Sequence, residues 1–352
     1  MLKLNETPVR TSRNFNINNI KLENINIPEN LENFDGVQIY NASEKNKISF
    51  EKNDIDVTYG ISNEFSNQVK QNSNFNVKIE IESKTNKDIK LDFLFDEKNL
   101  NLVDNIEILA KEDSKATIYL KYKAKEELEN FHNEIIKVFA EKSSNIKLVI
   151  INLTNSKSNN FVCIDSVLEE NAKLDYTIID LGGKTSITNL YSNLIGENSD
   201  QNINTIYLGK EEQIIDLNYI GELRGEKSNI NIEVQGALKD NARKHFKGTI
   251  DFKRGCKKAT GNENEYCILL SDTAKSLALP MLLCSEEEVE GNHSSAAGKV
   301  GEKELFYIMS RGFNLKEAMK LLVRAKFNTI IENIYDETIK SEILYEIDKR
   351  LD

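Results

Sequence analysis

Three histidines and four cysteines carry the softest donor atoms in this chain, and their spacing bounds the chemistry they can do. His132, His245 and His293 stand far apart, and Cys163, Cys256, Cys267 and Cys284 contain no Cys-x-x-Cys pair. A metal site built by one chain usually draws on about three or four such ligands at close spacing. No stable internal zinc or cluster site is therefore expected, and no Ser/His/Asp or Cys/His nucleophile set can be read from the residue order. Cys267 and Cys284 lie in apolar runs and read as core thiols, free cysteine being among the most buried residue types. Taken alone, His293 reads as an exposed histidine beside Glu286-Glu287-Glu288, an acidic run that reads as a solvated loop.

Two stretches imitate a phosphate-binding loop, in which glycines let backbone N–H groups wrap the phosphates at the start of a helix. Gly183-Lys184-Thr185 has the right tail, but Thr177-Ile178 stand where the earlier glycine belongs and the residues that follow read as strand. Gly298-Lys299 runs into Val300, which cannot hold magnesium, and Gly291 is two positions too far away. Neither is expected to bind nucleotide, so this chain should not hydrolyse it.

The elements between these residues must position them. From Phe75 onward Val77, Ile79 and Ile81 alternate with polar residues, the period of a half-buried strand. Short strands then recur, as in Thr117–Leu120, Ile146–Ile150, Tyr176–Ile179, Ile203–Leu208, Ile214–Tyr219 and Ile230–Val234. Turn residues separate them, among them Gly182-Gly183, Gly196 to Asp200, Gly225 to Asn229 and Gly255 to Asn264. The body is thus mostly β, and periodicity leaves open whether it is a sandwich or a solenoid. Residues 1–75 read as short helices and loops, 76–300 as the β core, and 301–352 as helical. Glu302 to Ser310 forms a short helix ended by Gly312, and Asn314 with Glu317 caps a second, on which Ala318, Leu322 and Ala325 share a face. A third starts near Asp336 with Ile339, Ile343 and Ile347 as its apolar stripe. Leu315, Met319, Leu321, Leu322, Val323 and Phe327 exceed one core-facing stripe. They mark either a partner surface, rimmed by Arg324 and Lys326, or a face covered by the last helix.

With 352 residues, 39% hydrophobic and 29% charged, and a net charge of -11, the composition is that of an acidic globular protein. The short basic clusters Arg243-Lys244-His245 and Lys253-Arg254 are flanked by acids, which argues against nucleic acid as a partner. No apolar run of membrane-spanning length and no signal-peptide pattern is read, so a cytoplasmic protein without disulfides is expected.

The C-terminal third carries a more specific text. Gly248-Thr249-Ile250-Asp251-Phe252-Lys253-Arg254-Gly255, Ile268-Leu269-Leu270-Ser271-Asp272, Leu279-Pro280-Met281-Leu282-Leu283-Cys284, Glu288-Val289-Glu290-Gly291-Asn292-His293-Ser294-Ser295-Ala296-Ala297-Gly298 and Leu305-Phe306-Tyr307-Ile308-Met309-Ser310-Arg311-Gly312 follow one another. In that order they resemble the signature blocks of the SufB/SufD family of iron–sulfur cluster assembly scaffolds. Weaker similarity reaches upstream through Leu102-Val103-Asp104-Asn105 and Phe131-His132-Asn133, so the resemblance covers roughly residues 75–350.

The resemblance implies a right-handed parallel β-helix with a C-terminal helical subdomain, and a scaffold that is not itself an enzyme. It also implies pairing with a B-type scaffold, an ABC-type ATPase (SufC-like) on the C-terminal helices, and a transient cluster at the scaffold–scaffold interface. None is expected to stay on the isolated chain, and flavin is left open. The B-type cysteine and glutamate positions here hold Ala274 and Ser294, whereas the D-type histidine falls on His293, so the D-type is the better match. The cysteine many D-type chains carry two residues before that histidine is here Gly291. His293 thereby becomes the candidate shared cluster ligand, and Phe306, Met309, Arg311, Leu315, Met319, Leu322, Val323 and Phe327 the candidate ATPase-docking residues. A B-type or self-pairing scaffold using Cys256, Cys267 or Cys284 is the alternative within the family. A β-helix polysaccharide-active enzyme is the alternative outside it.

Overall fold

A computed structural model of the chain describes residues 2–11, 17–23, 25–40, 46–50, 56–84, 86–125 and 128–352. It opens with β1 (Leu2–Leu4), β2 (Ile20–Leu22), β3 (Val37–Tyr40), β4 (Asn46–Ser49) and helix α1 (Asn63–Asn72). Longer strands follow: β5 (Phe75–Ile81), β6 (Asn86–Phe95), β7 (Asn101–Ala110), β8 (Lys115–Ala124), β9 (Phe131–Ala140), β10 (Asn145–Leu153), β11 (Asn159–Leu168) and β12 (Lys173–Asp180). Next come β13 (Thr185–Leu194), β14 (Asp200–Gly209), β15 (Ile214–Leu223), β16 (Asn229–Leu238), β17 (Arg243–Phe252), β18 (Thr260–Leu269), β19 (Lys275–Cys284) and β20 (Glu290–Lys299). Helices α2 (Glu302–Met309), α3 (Leu315–Ile331) and α4 (Glu337–Leu351) end the chain.

The long strands fall alternately into two nine-stranded sheets, even-numbered strands from β6 to β20 in one and odd-numbered strands from β5 to β19 in the other. Within each sheet the long strands are parallel and in register, so the chain winds as a β-solenoid of about eight turns. Inward side chains stack from turn to turn. Ile118, Leu148, Tyr176, Ile203 and Ile232 form one such column, and their burial next to like residues removes apolar surface from water at roughly 1.5–3 kcal/mol per side chain.

No sequence repeat was legible because the turns differ in length. Asn159 to its register partner Thr185 is an advance of 26 residues, and Arg243 to Lys275 one of 32. One corner is nevertheless constant. Asp113, Ser143, Asn171, Asn198, Lys227 and Lys258 all adopt left-handed φ of 55–59°. Each sends its N–H to a carbonyl on the next turn, as in Asp113 N to Lys142 O at 3.1 Å and Asn198 N to Glu226 O at 2.9 Å. The corner anticipated over Gly255 to Asn264 is shorter than expected, since Thr260 already begins β18.

Both sheets are also covered on their outer faces. Helices α3 and α4 bury Val323, Phe327, Ile330, Ile331, Ile339, Ile343 and Ile347 against Tyr119, Val149, Ile151, Ile179, Ile206 and Leu208. Such two-sided burial gives the apolar runs Leu148–Ile151 of β10 and Ile206–Leu208 of β14. Asn314 and Glu317 do form a capping box, and Asp336 caps α4. Ala325, however, is exposed, and Val323 and Phe327 are fully buried, because the buried stripe of α3 turns toward the sheet and not toward the face read from sequence.

The amino-terminal segment packs more tightly than its composition suggested. Leu4, Ile20, Leu22, Ile61, Phe65 and Val69 seal Val103, Phe131, Ile135, Phe161, Cys163 and Ile187 on the other sheet. Asn5, wholly buried, donates to Asp216 Oδ1 at 2.6 Å and to Thr188 O at 3.0 Å, which pins this cover to two turns. Residues 1, 12–16, 24, 41–45 and 51–55 of that segment lie outside the described residues.

Candidate functional site

The solenoid ends in β19 and β20, and among the described residues neither pairs with a strand on its far side. The inward column that runs from Ile118 to Ile232 continues to Glu263 and then His293, so its last two turns exchange hydrocarbon for a carboxyl and an imidazole. Gly291, two residues earlier on the same face of β20, lies over the Phe252 ring, and Ser295, two residues later, donates to Glu265 Oε2 at 2.8 Å. Those contacts set the face on which His293 stands, at the open mouth of the solenoid, and the residue is exposed there.

Beneath it Glu263 is fully buried with neither carboxyl oxygen hydrogen-bonded, and burial, then the neighbouring Glu265, pushes its pKa up to about 8. Glu265 is held by Lys244 Nζ at 2.6 Å and by the Tyr207 hydroxyl at 3.1 Å, all three buried. The mouth therefore presents an imidazole backed by a carboxyl that resists ionisation, beside a neutralised Lys–Glu pair. An imidazole with a free ring nitrogen can bind iron. Sequence reasoning singled out His293 but missed Glu263, which is 30 residues away and adjacent only through the register.

The other predicted positions disperse. Cys163, Cys256 and Cys267 are buried, and burial pushes their thiols up. Cys284, expected in the core, is exposed, because β19 is the terminal strand and no described residue covers its last position; its thiol donates to Glu286 O at 2.9 Å. Ala274 is nearly buried at the corner before β19, and Ser294 points away from the lumen to Asn264 Oδ1 at 2.6 Å. Gly183 lies in a corner and Gly298 inside β20, so neither opens a helix.

On the helical side α2 buries none of its residues. Phe306 is 75% exposed, and Tyr307, Met309, Phe313, Leu315 and Leu321 are exposed with it; Arg311 lies over the Tyr307 ring at 4.7 Å. Met319 and Leu322 are half-buried. Val323 and Phe327 must be struck from the docking set, since no partner can reach them on the folded chain. No helix among the described residues is long and apolar enough to cross a membrane.

A second polar group lies deep in the lumen. Asp104, His132 and Glu134 are all buried and offer ligand atoms within 4.8 Å of one another. His132 Nε2 lies 3.0 Å from Asp104 Oδ1 and its Nδ1 2.6 Å from Asn160 Oδ1, while Tyr122 donates to Glu134. Burial raises Asp104 well above the carboxylate range, holds Glu134 at about 8 and lowers His132. The expectation that the chain assembles no close set of ligands is thereby corrected, because parallel turns bring together residues that are 28 and 30 apart.

Comparison with known proteins agrees with this geometry. The family model described as "SUF system FeS cluster assembly, SufBD core domain" matches residues 93–326, more than half of the chain. The chain is 25% identical over 180 residues to the iron–sulfur cluster assembly protein SufD of Bacillus subtilis, covering 51% of this chain and 41% of that one. It is 26% identical over 255 residues to an iron–sulfur cluster assembly SufBD family protein of Pyrococcus horikoshii (70% and 55%), and 23% identical over 240 residues to SufD of Escherichia coli (68% and 57%). The matched region thus spans about half the length of these relatives. With an open-ended two-sheet solenoid, covering helices and the family match all in agreement, the chain belongs to the SufBD core family of SUF-system iron–sulfur cluster assembly proteins.

Proposed function

We propose that this chain is a D-type scaffold subunit of a cytoplasmic SUF complex, in which it pairs with a B-type scaffold through the open end of its solenoid and presents His293 as one ligand to a cluster in transit. The observation that carries the reading is the inward column ending in Glu263 and His293, at an end of the solenoid where β19 and β20 have no strand on their outer edges among the described residues. A long parallel strand with an unpaired edge is a template for another chain, and β20 is rich in small residues that let one approach. The cluster is cargo, and the chain supplies position and not turnover. Its ATPase would dock on the exposed Phe306, Met309, Arg311 and Leu315 surface, flanked by Met319 and Leu322.

Two measurements test this. Affinity purification of the native chain should recover a paired scaffold together with an ABC-type ATPase; recovery of neither would remove the reading. His293→Ala should leave the fold unchanged, since the side chain is exposed, and should lower cluster formation in the complex while pairing is retained. Unchanged assembly on an intact complex would return His293 to an ordinary surface residue.

One observation favours a second reading, a self-pairing scaffold. Cys284 is an exposed thiol on β19, and two copies meeting at their open ends would bring two such thiols and two His293 imidazoles to one interface. Anaerobic reconstitution of the lone chain with iron and sulfide separates the readings. A chromophore that survives desalting and is lost in Cys284→Ser supports self-pairing, and a colourless chain supports the D-type role.

A further inference from the structure

Some buried carboxylates of this molecule are neutralised by lysine, whereas Asp180 is held by amide and hydroxyl donors and Glu263 has no hydrogen-bond partner among the described residues. Lys247 Nζ lies 2.5 Å from Asp216, and Lys244 Nζ 2.6 Å from Glu265. Asp104 and Glu134 are as deeply buried, yet among the described residues neither forms an ion pair with a lysine or arginine. Burying two carboxyls without a compensating charge is costly, so either protons or a cation must supply it.

The hydrogen bonds around His132 bear on which. Asn160 Nδ2 donates to Ser186 Oγ at 3.4 Å, and that hydroxyl donates onward to Asp180 Oδ2 at 2.8 Å. Asn160 therefore turns its oxygen toward the imidazole, and His132 Nδ1 carries the proton it donates there. In the neutral ring the lone pair is then on Nε2, facing Asp104 Oδ1 across 3.0 Å, a contact that needs either a proton on the carboxyl or a cation between the two atoms. Asp104 Oδ2 and Glu134 Oε2 are buried beside them without a hydrogen-bond partner. Two ligand atoms on a tetrahedral ion with bonds of ~2.0–2.1 Å stand roughly 3.3 Å apart; His132 Nε2 and Asp104 Oδ1 are 3.0 Å apart, and all three ligand atoms lie within 4.8 Å of one another. The outer partners also fit, Asn160 fixing the ring tautomer and the Tyr122 hydroxyl orienting Glu134, as ligating histidines and carboxylates are commonly held.

We infer that Asp104, His132 and Glu134 form a binding site for one divalent transition-metal ion inside the solenoid, separate from the His293 mouth and independent of cluster assembly. One imidazole and two carboxylates suit zinc or ferrous iron better than calcium, which takes more oxygen ligands, or copper(I), which prefers sulfur. Enclosed by Phe95 and Tyr122, whose rings stand 5.9 and 4.5 Å from His132, the ion would be taken up as the turns close and would tie β7 to β9.

The test uses the full, tag-free chain produced with zinc or with iron supplied, passed through chelator and analysed for bound metal. Wild type should retain about one ion per chain, and the isosteric double variant Asp104→Asn/Glu134→Gln, folded by circular dichroism, at least about tenfold less. Which metal is retained distinguishes zinc from iron. A metal-free wild type under both supplies would overturn the site and leave a proton-sharing cluster; equal metal in the folded variant would place the ion elsewhere, and also overturns it. Should the variant not fold, cobalt-loaded wild type decides. Visible ligand-field bands without thiolate charge transfer support nitrogen–oxygen ligation here, and thiolate charge transfer rules it out.

Discussion

Glu263 shows what a single residue contributes and when it does so. Its folded pKa of about 8 lies above the unfolded carboxyl value, so between roughly pH 4.5 and 8 the native state holds a proton that the unfolded chain has released. Stability from this group is therefore full below the unfolded value and falls as pH rises through the window, by at most about 1.4 kcal/mol for each pH unit crossed. Glu265 and Lys244 face it from the lumen and His293 from the next turn. Glu263→Gln should accordingly raise the thermal midpoint at pH 8 and lose that advantage toward pH 5; a gain that does not change with pH would show that the carboxyl is already satisfied. Sequence text was enough to find His293 but not its neighbour. Glu263 lies among Asn262, Asn264 and Glu265 and looks like part of a polar loop, and only the register makes it the last buried member of an apolar column. Asp104 and Glu134 were hidden in the same way, their 30 residues of separation being one turn of a repeat whose length varies.

Elements were read best where they make local hydrogen bonds and worst where a second layer decides their orientation. The capping box of α3 and the stripe of α4 could be seen in the residues themselves. The placing of Val323 and Phe327 could not, because the apolar outer face of β10, β12 and β14 that covers them is assembled from residues distant in sequence. The same layer alters what truncation would do. Removing everything after Gly301 would uncover Tyr119, Val149, Ile151, Ile179, Ile206 and Leu208, so the shortened chain should aggregate or lose stability, seen as a lowered midpoint and bound hydrophobic dye. Phe306→Asp is the cleaner probe of the docking surface, since α2 buries nothing. It should leave the stability within about 0.5 kcal/mol of wild type while abolishing capture of the ATPase. Corners are less forgiving. A Cβ on Gly196 would collide with the backbone of Glu169 and Glu170 on the preceding turn, so Gly196→Ala should cost about 1–3 kcal/mol in denaturant unfolding.

At the scale of the molecule, strand content and its succession by helices could be inferred from alternation and capping, whereas the choice between sandwich and solenoid could not, because both bury every second residue. Each turn touches mainly its neighbours, and interior turns are capped on both sides by the next. The exception is the β19/β20 end, where Leu277 is 46% exposed. If that end is the pairing surface, Leu277→Lys should weaken association with the second scaffold without changing the monomer's circular dichroism, a charge on a free edge being a standard block to strand addition. Unaltered association by sedimentation would place the interface elsewhere. The left-handed corner also acts as a reading frame. It stands two residues before each strand that follows it, Asp113 before Lys115, Lys227 before Asn229 and Lys258 before Thr260. A residue inserted between corner and strand would turn every inward side chain of that strand outward, while one added to the opposite connection, such as Leu153 to Asn159, would be absorbed before the next frame begins. A chain built this way can lengthen its connections freely but can lengthen its core only by whole turns.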